Sequence, residues 1–367
     1  GEQPSRDLRI GVAAGRTEVC TKMIGDDMHR TRILILLPLL VGCGGDGSSD
    51  AAVEEQSQTI GAIERLDPAI DTLIPPDAVI EVLAEGFNWS EGPVWIEDGD
   101  YVLFSDVPEN RIYRWKEGEG HSVWLEPSGY TGDVPRGGEP GSNGLLLDSE
   151  GRLVLCQHGD RRVARMDAPL TAPETRFTTL ADRYDGMRFS SPNDAVFDAN
   201  GTLYFTDPPY GLPEGTGDPT RETPYNGVYR LGTDGEVTLL TDELSRPNGI
   251  GLSPDESTLY VANSDPERAI WMAYDLLPSG TVANGRVFFD ATNLVSAENR
   301  GLPDGLKVDA AGNLFATGPG GVLVFSPDGR HLGTIRTTQA TANCAFGEGG
   351  KTLYMTADSY LLRLRLE

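Results

Sequence analysis

The sequence predicts an all-β chain: a six-bladed β-propeller with four-stranded blades, its ring closed by an N-terminal strand. Three observations carry this. The first is a repeated grammar of two short apolar runs separated by turn residues, seen most clearly in Ser191 to Asp207, SPNDAVFDANGTLYFTD. Pro192 holds Ser191 extended, Asp198 to Gly201 supply turn chemistry, and the second run ends at Thr206-Asp207. The second is recurrence: the pattern returns from Glu91, Ser142, Pro247, Pro303 and Ala342. The third is register. Aligned on the pattern, the residues just before the first apolar runs are Glu91, Asn143, Asn193, Asn248, Asp304 and Asn343, spaced 39 to 56 positions apart, and every one ends in an oxygen. A period of about fifty residues built from short strands is the signature of propeller blades.

Taken in order, the 367 residues begin outside that repeat. Residues 1–27 show no periodicity and read as an upstream over-translation. Met28 opens a lipoprotein-type signal peptide over 28–43: His29 to Arg32 is basic, Ile33 to Val41 is apolar, and Leu40-Val41-Gly42-Cys43 is similar to a bacterial lipobox. The apolar run is far short of the ~20 residues that span a bilayer. Export, a lipid anchor at Cys43 as the sole membrane attachment, and a periplasmic or cell-envelope location are therefore expected. Residues 44–77 read as a flexible tether and 78–367 as the propeller. Each repeat continues past its hairpin into two more strands, except the last, which ends after Tyr360 to Leu366. Ala78 to Leu83 stands ahead of the first repeat, and is expected to complete the last blade and hide both sheet edges.

Thirty basic against 56 acidic residues leave a net charge of −26, which excludes nucleic acid and anionic surfaces as partners and favours cations. Cys156 and Cys344 fall in repeats that are not neighbours around a ring, so free buried thiols are expected rather than a disulfide.

The first strand of a propeller blade lies beside the axis, so the six aligned residues converge at one mouth of the channel. Glu91 and Asp304 with the amide oxygens of Asn193 and Asn248 make a hard, oxygen-only set of formal charge −2, suited to one divalent cation, Ca²⁺ before Mg²⁺ or Mn²⁺. Asn-Gly and Asp-Gly are also favoured turn dipeptides, but a turn needs neither the Glu of the first repeat nor the Asn-Asp of the third. Loops on the same face place Asp106, His158, Asp207, Asn263, Asp265 and Asp358 around the rim, with Pro208 to Tyr225 as a lid. No Gly-x-Ser-x-Gly elbow and no phosphate-cradling fingerprint occurs.

From about residue 78 onward the chain resembles the SMP-30/gluconolactonase/luciferin-regenerating-enzyme-like propellers, closest to the bacterial gluconolactonases. The resemblance rests on Ser90 to Trp95 (SEGPVW), Ser142-Asn143-Gly144, Cys156 to Arg162 (CQHGDRR), Ser191 to Asp194 (SPND), Tyr204 to Gly211 (YFTDPPYG), Arg246 to Gly249 (RPNG) and Pro303-Asp304-Gly305. It implies one divalent cation, usually calcium, at Glu91, Asn193, Asn248 and Asp304, and hydrolysis of a sugar lactone. Animal members carry a sugar-contacting arginine where this chain has Ser191. On this reading Asp304 is the general base and His158 a second acid or base, while Asn143, Asn193 and Asp207 orient substrate hydroxyls and water. Two alternatives use the same ring: a broad lactonase or phosphotriesterase-like hydrolase, and a non-enzymatic ligand-binding propeller.

Overall fold

Six four- and five-stranded antiparallel sheets, besides one two-stranded ribbon at residues 183–188, make up the computed structural model, which describes residues 58–366. The expected over-translation, signal peptide, lipobox Cys43 and first part of the tether lie outside the described residues. Blade 1 runs Ser90–Ile96, Tyr101–Asp106, Arg111–Lys116, Gly120–Leu125, and blades 2 to 4 repeat that simple up-and-down order, starting at Ser142–Leu147, Ala195–Phe197 and Pro247–Leu252. Blade 5 starts at Leu306–Val308 and blade 6 at Thr341–Gly347. Each first strand packs against the first strands of the two adjacent blades, the sixth returning to the first, so the inner strands form a closed ring. The expected six-bladed propeller is what forms.

The start of the described chain is built into the last two blades. Ile80–Glu85, two residues later than expected for the orphan strand, pairs antiparallel with Tyr360–Arg365. Arg363, buried, spans that pair and the next blade through Glu81 at 2.6 Å and Glu117 at 2.5 Å. Upstream, Thr59–Ile60 pairs with Ile80–Glu85, and Ala62–Arg65 adds a fifth strand to His331–Arg336 of blade 5. The expectation of a tether through residue 77 is thus corrected from residue 58 onward. Ile70 and Ile74 are fully buried against Phe315, Val324 and Ile335, and apolar area of that size outweighs the freedom a tether would keep.

The glycines behind the axial residues are required by space, and Gly92 also by its left-handed φ of 49°. A Cβ on Gly92 would lie 2.1 Å from the Asn143 carbonyl oxygen, on Gly249 2.1 Å from that of Asp304, and on Gly305 2.0 Å from the Asn343 side chain. Adjacent inner strands are therefore in backbone contact. Hydroxyls of the second strands staple the same seam: Ser105 Oγ donates to the Asn143 carbonyl at 3.0 Å, Thr206 Oγ1 to that of Asn248 at 2.6 Å, and Thr317 Oγ1 to that of Ala342 at 2.9 Å. Blade-to-blade cores lie outside this seam, for example Val154, Phe205 and Tyr229 between blades 2 and 3. Cys156 and Cys344 are buried free thiols.

A methyl group cannot enter that seam without moving backbone. Gly249→Ala should cost at least ~2 kcal/mol in denaturant unfolding, the scale of an overpacked core. Gly217→Ala, whose added methyl would meet nothing within 4 Å and whose backbone is not left-handed, should stay within ~1 kcal/mol. Equal midpoints for the two variants would contradict the crowded axis.

Candidate functional site

Delivery of each axial residue begins with the loop that enters the first strand, and that loop is held from behind. The Asp106 carboxylate accepts from the backbone N–H of Asn88 and Trp89 at 3.1 and 3.2 Å, just ahead of Glu91. Asp207 does the same for Ser190 and Ser191 at 2.8 and 2.7 Å, just ahead of Asn193, and Asn263 Oδ1 accepts from Arg246 N–H at 2.8 Å, ahead of Asn248. These end-of-strand residues are the same device in three blades. Asp207 is consequently not a group that meets substrate: it is fully buried, both oxygens are taken by backbone donors, and burial pushes its carboxyl up to about 7. Its role is to position the segment carrying Asn193.

Of the expected ring, Glu91, Asn143, Asn193 and Asn248 are buried on first strands or the loops entering them, and Asp304, half-buried, lines a cavity of about 400 Å³ with Trp89, Ser264, Asn299, Leu302 and Thr341. Glu91 is pushed up to about 8 by burial, with Asp194 and Glu139 adding repulsion, although its Oε2 accepts from Gly92 N–H at 2.8 Å. Burial also drives Asp304 well above the usual carboxylate range, with Glu91, Asp194 and Glu139 as the repelling charges. Two carboxyls raised by burial and by neighbouring acids in this way lack a positive partner. Three acceptors share that lack: Asn143 Oδ1, Asn193 Oδ1 and Asp304 Oδ1 are buried without a hydrogen-bond donor among the described residues. Buried orphan acceptors of this kind cost free energy, and a hard cation satisfies oxygen acceptors and carboxylates together. Among the described residues no three Asp, Glu, His or Cys side chains cluster as a metal centre, so any cation here depends on the amide oxygens.

The second axial cluster does have its counter-ion. Asp194 accepts from Asn343 Nδ2 at 3.4 Å across the channel and lies 4.0 Å from Lys307 Nζ, tying blades 3, 5 and 6 together.

His158 is brought to the site in a different role from the expected acid or base. It is fully buried, its Nδ1 lies 3.1 Å from Glu139 Oε2, and its Nε2 lies 3.4 Å from Asn193 Nδ2, so neither nitrogen is open to substrate. Glu139 was not legible in the sequence, because the loop carrying it has no repeat counterpart. Tyr210 was also missed. Its hydroxyl is buried without a hydrogen-bond partner, with Ser264, Asp304 and Arg246 as polar neighbours. The expected lid that carries Tyr210 is pinned at its root: Gly211 N–H donates to Ser191 Oγ at 2.9 Å, and Arg136 bonds the Gly211 carbonyl. The YFTDPPYG motif held the signal for Tyr210, read there only as part of a resemblance.

Comparison with known proteins agrees in family and in fold. The SMP-30/Gluconolactonase/LRE-like region matches residues 89–359. A gluconolactonase of Zymomonas mobilis is 41% identical over 325 residues, covering 87% of this chain and 90% of the relative. The solved structure of a gluconolactonase from Xanthomonas campestris superposes with a TM-score of 0.72 at 32% identity, over 85% of this chain and 97% of that one. A calcium-binding regucalcin from Agrobacterium tumefaciens shares the fold at a TM-score of 0.60 and 21% identity, over 78% and 93% of the two chains.

In chelator, the Glu91 carboxyl binds a proton in the folded state up to about pH 8, whereas in the unfolded chain it has released it by about pH 5. Between those limits the native state carries more protons, so stability should fall as pH rises. Glu91→Gln should flatten that slope in thermal melts from pH 5 to 8. A wild-type melting temperature that climbs over this window, with Glu91→Gln unchanged from it, would contradict the placement of Glu91.

Proposed function

Because the chain belongs to the SMP-30/Gluconolactonase/LRE-like family, we propose that it is a hydrolase that opens sugar lactones with the help of one divalent cation, Ca²⁺ by preference, held by Glu91, Asn193, Asn248 and Asp304. The observation that carries the reading is the pair of raised carboxyls, buried Glu91 and cavity-lining Asp304, together with the buried, orphaned amide oxygens of Asn143 and Asn193. The gluconolactonase relatives support the reaction class, and the calcium-binding relative supports the type of ion. Bound in this set, a divalent cation supplies polarisation of the lactone carbonyl and charge for the developing oxyanion, worth several kcal/mol.

The protein groups do the rest. Asp304, facing the cavity, takes the proton of the attacking water as oxygen adds to the carbonyl carbon. A base must be ionised, and positive charge beside Asp304 brings its raised carboxyl down into that state. The ring C–O bond then breaks, the ring oxygen leaves as a hydroxyl with the returned proton, and the product is the open-chain hydroxy acid. Tyr210, a phenol with no partner of its own beside Asp304, is placed to donate to a substrate oxygen. Asn143 presents a free buried acceptor to substrate hydroxyls. Trp89 and Leu302 give the cavity an apolar wall suited to the C–H face of a sugar ring. Export and lipid attachment at Cys43 belong to the same reading. Intact mass of the mature protein should place its N terminus at a lipid-modified Cys43, and an unmodified, active protein starting at Met28 would remove the anchor.

Glucono-1,5-lactone opening should be lost by at least ~10²-fold in chelator and restored by Ca²⁺ or Mn²⁺. At saturating cation, Asp304→Asn should keep measurable cation binding while kcat falls ~10²–10⁴-fold, the range of a lost general base. A chelator-treated enzyme that keeps its full rate would overturn the cation, and an Asp304→Asn enzyme within a few-fold of wild type would leave Asp304 a ligand only.

A further inference from the structure

Resting on that reading of the ring, we propose that Glu139 and His158 are positioning residues that turn the Asn193 amide so that its oxygen, not its nitrogen, faces the cation. The chain of contacts is Glu139 Oε2 to His158 Nδ1 at 3.1 Å, then His158 Nε2 to Asn193 Nδ2 at 3.4 Å, then a buried Asn193 Oδ1 with no hydrogen-bond donor among the described residues.

The direction of this chain follows from what each group can do. A carboxylate only accepts, so Nδ1 carries the ring proton and donates it to Glu139. In the neutral imidazole Nε2 is then a bare lone pair and can only accept. Of the two ends of the Asn193 amide, only the NH₂ can meet it, and the oxygen is left pointing the other way. An amide is nearly symmetrical in shape, so packing alone would hold either orientation, whereas only the oxygen can ligate a hard cation. The choice is made two residues away, at Glu139.

The hardware around the chain fixes it in place. His158 is fully buried, its backbone N–H donates to the Gly141 carbonyl at 3.1 Å, and Gly211 packs so closely that a Cβ there would lie 2.7 Å from His158 Cβ. Glu139 sits on the other side with its side chain about one-third exposed, at 35%. It is therefore the one member of the chain that can be replaced without disturbing the core. Asn143, its counterpart in the blade before, has an orphaned Oδ1 of the same kind but stands outside this relay, so the device belongs to the ligand.

The decisive comparison is Glu139→Gln with Glu139→Ala. Both remove the same charge from the neighbourhood of Glu91 and Asp304, but only glutamine keeps an acceptor for His158 Nδ1–H. Titration calorimetry with Mn²⁺ alone should show Glu139→Gln within about threefold of wild type and Glu139→Ala weakened by ~10-fold or more, the usual effect of losing a group that orients a ligand. Nitrogen-15 histidine spectra of the cation-free protein give a readout independent of binding and of activity. His158, told apart from His29, His121 and His331 by His29→Gln, His121→Gln and His331→Gln, should be the Nδ1–H tautomer in wild type and in Glu139→Gln, and should lose that signature in Glu139→Ala. An Nε2–H tautomer in wild type, or equal Mn²⁺ affinities of the two variants, overturns the proposal. A wild type that takes up no divalent cation overturns the cation reading and with it this role of Asn193; equal variants of a cation-binding wild type overturn the orientation alone.

Discussion

Two carboxyls, buried Glu91 and half-buried Asp304, stand at the axis of this propeller, and neither has a positive side-chain partner among the described residues. Burial raises the proton affinity of both Glu91 and Asp304, and the neighbouring acids, Glu91 among them for Asp304, raise it further. A fold that only had to be stable would place apolar groups there. The surrounding architecture works to keep the acids where they are, which is the mark of a site whose partner comes from outside the chain.

That architecture is a repeated one. In three blades an Asp or Asn at the end of the second strand grips the backbone of the loop that delivers the axial residue, and in three a hydroxyl one step earlier bonds a carbonyl at the seam to the following blade. The glycines behind the axial residues bring the inner strands into backbone contact. In those blades the segments that carry axial residues are thus held through backbone contacts, and rigid placement is what a small, hard ligand set requires. The chain's net charge of −26 adds a long-range field that favours cations at the mouth.

Much of this was legible in the sequence because it repeats. Period, register and the oxygen-bearing heads of the blades all follow from one aligned pattern, and the family resemblance from the motifs set on it and in the rim loops. Three things escaped. A polar residue at a strand end looks alike whether it faces substrate or backbone, and Asp207 and His158 carry no mark in the sequence that their partners are Ser190, Ser191, Glu139 and Asn193. Glu139 and Tyr210 lie in rim loops that have no counterpart in other blades, so no alignment of repeats could single them out. The segment from Thr59 to Ile74 hid for a third reason: its strands are two and four residues long, and Ile70 and Ile74 become buried only against blades 5 and 6. Read alone, such a stretch has no face.

The central claim is that the axial oxygens form one cation site, and anomalous scattering from a crystal of the protein soaked in Mn²⁺ tests it most directly. The account predicts a single strong peak on the axis within ~2.0–2.6 Å of oxygens from Glu91, Asn193, Asn248 and Asp304, a range covering the bonds expected of hard divalent ions. A fully soaked crystal with no peak there, or with its peak away from Glu91 and Asp304, would contradict it.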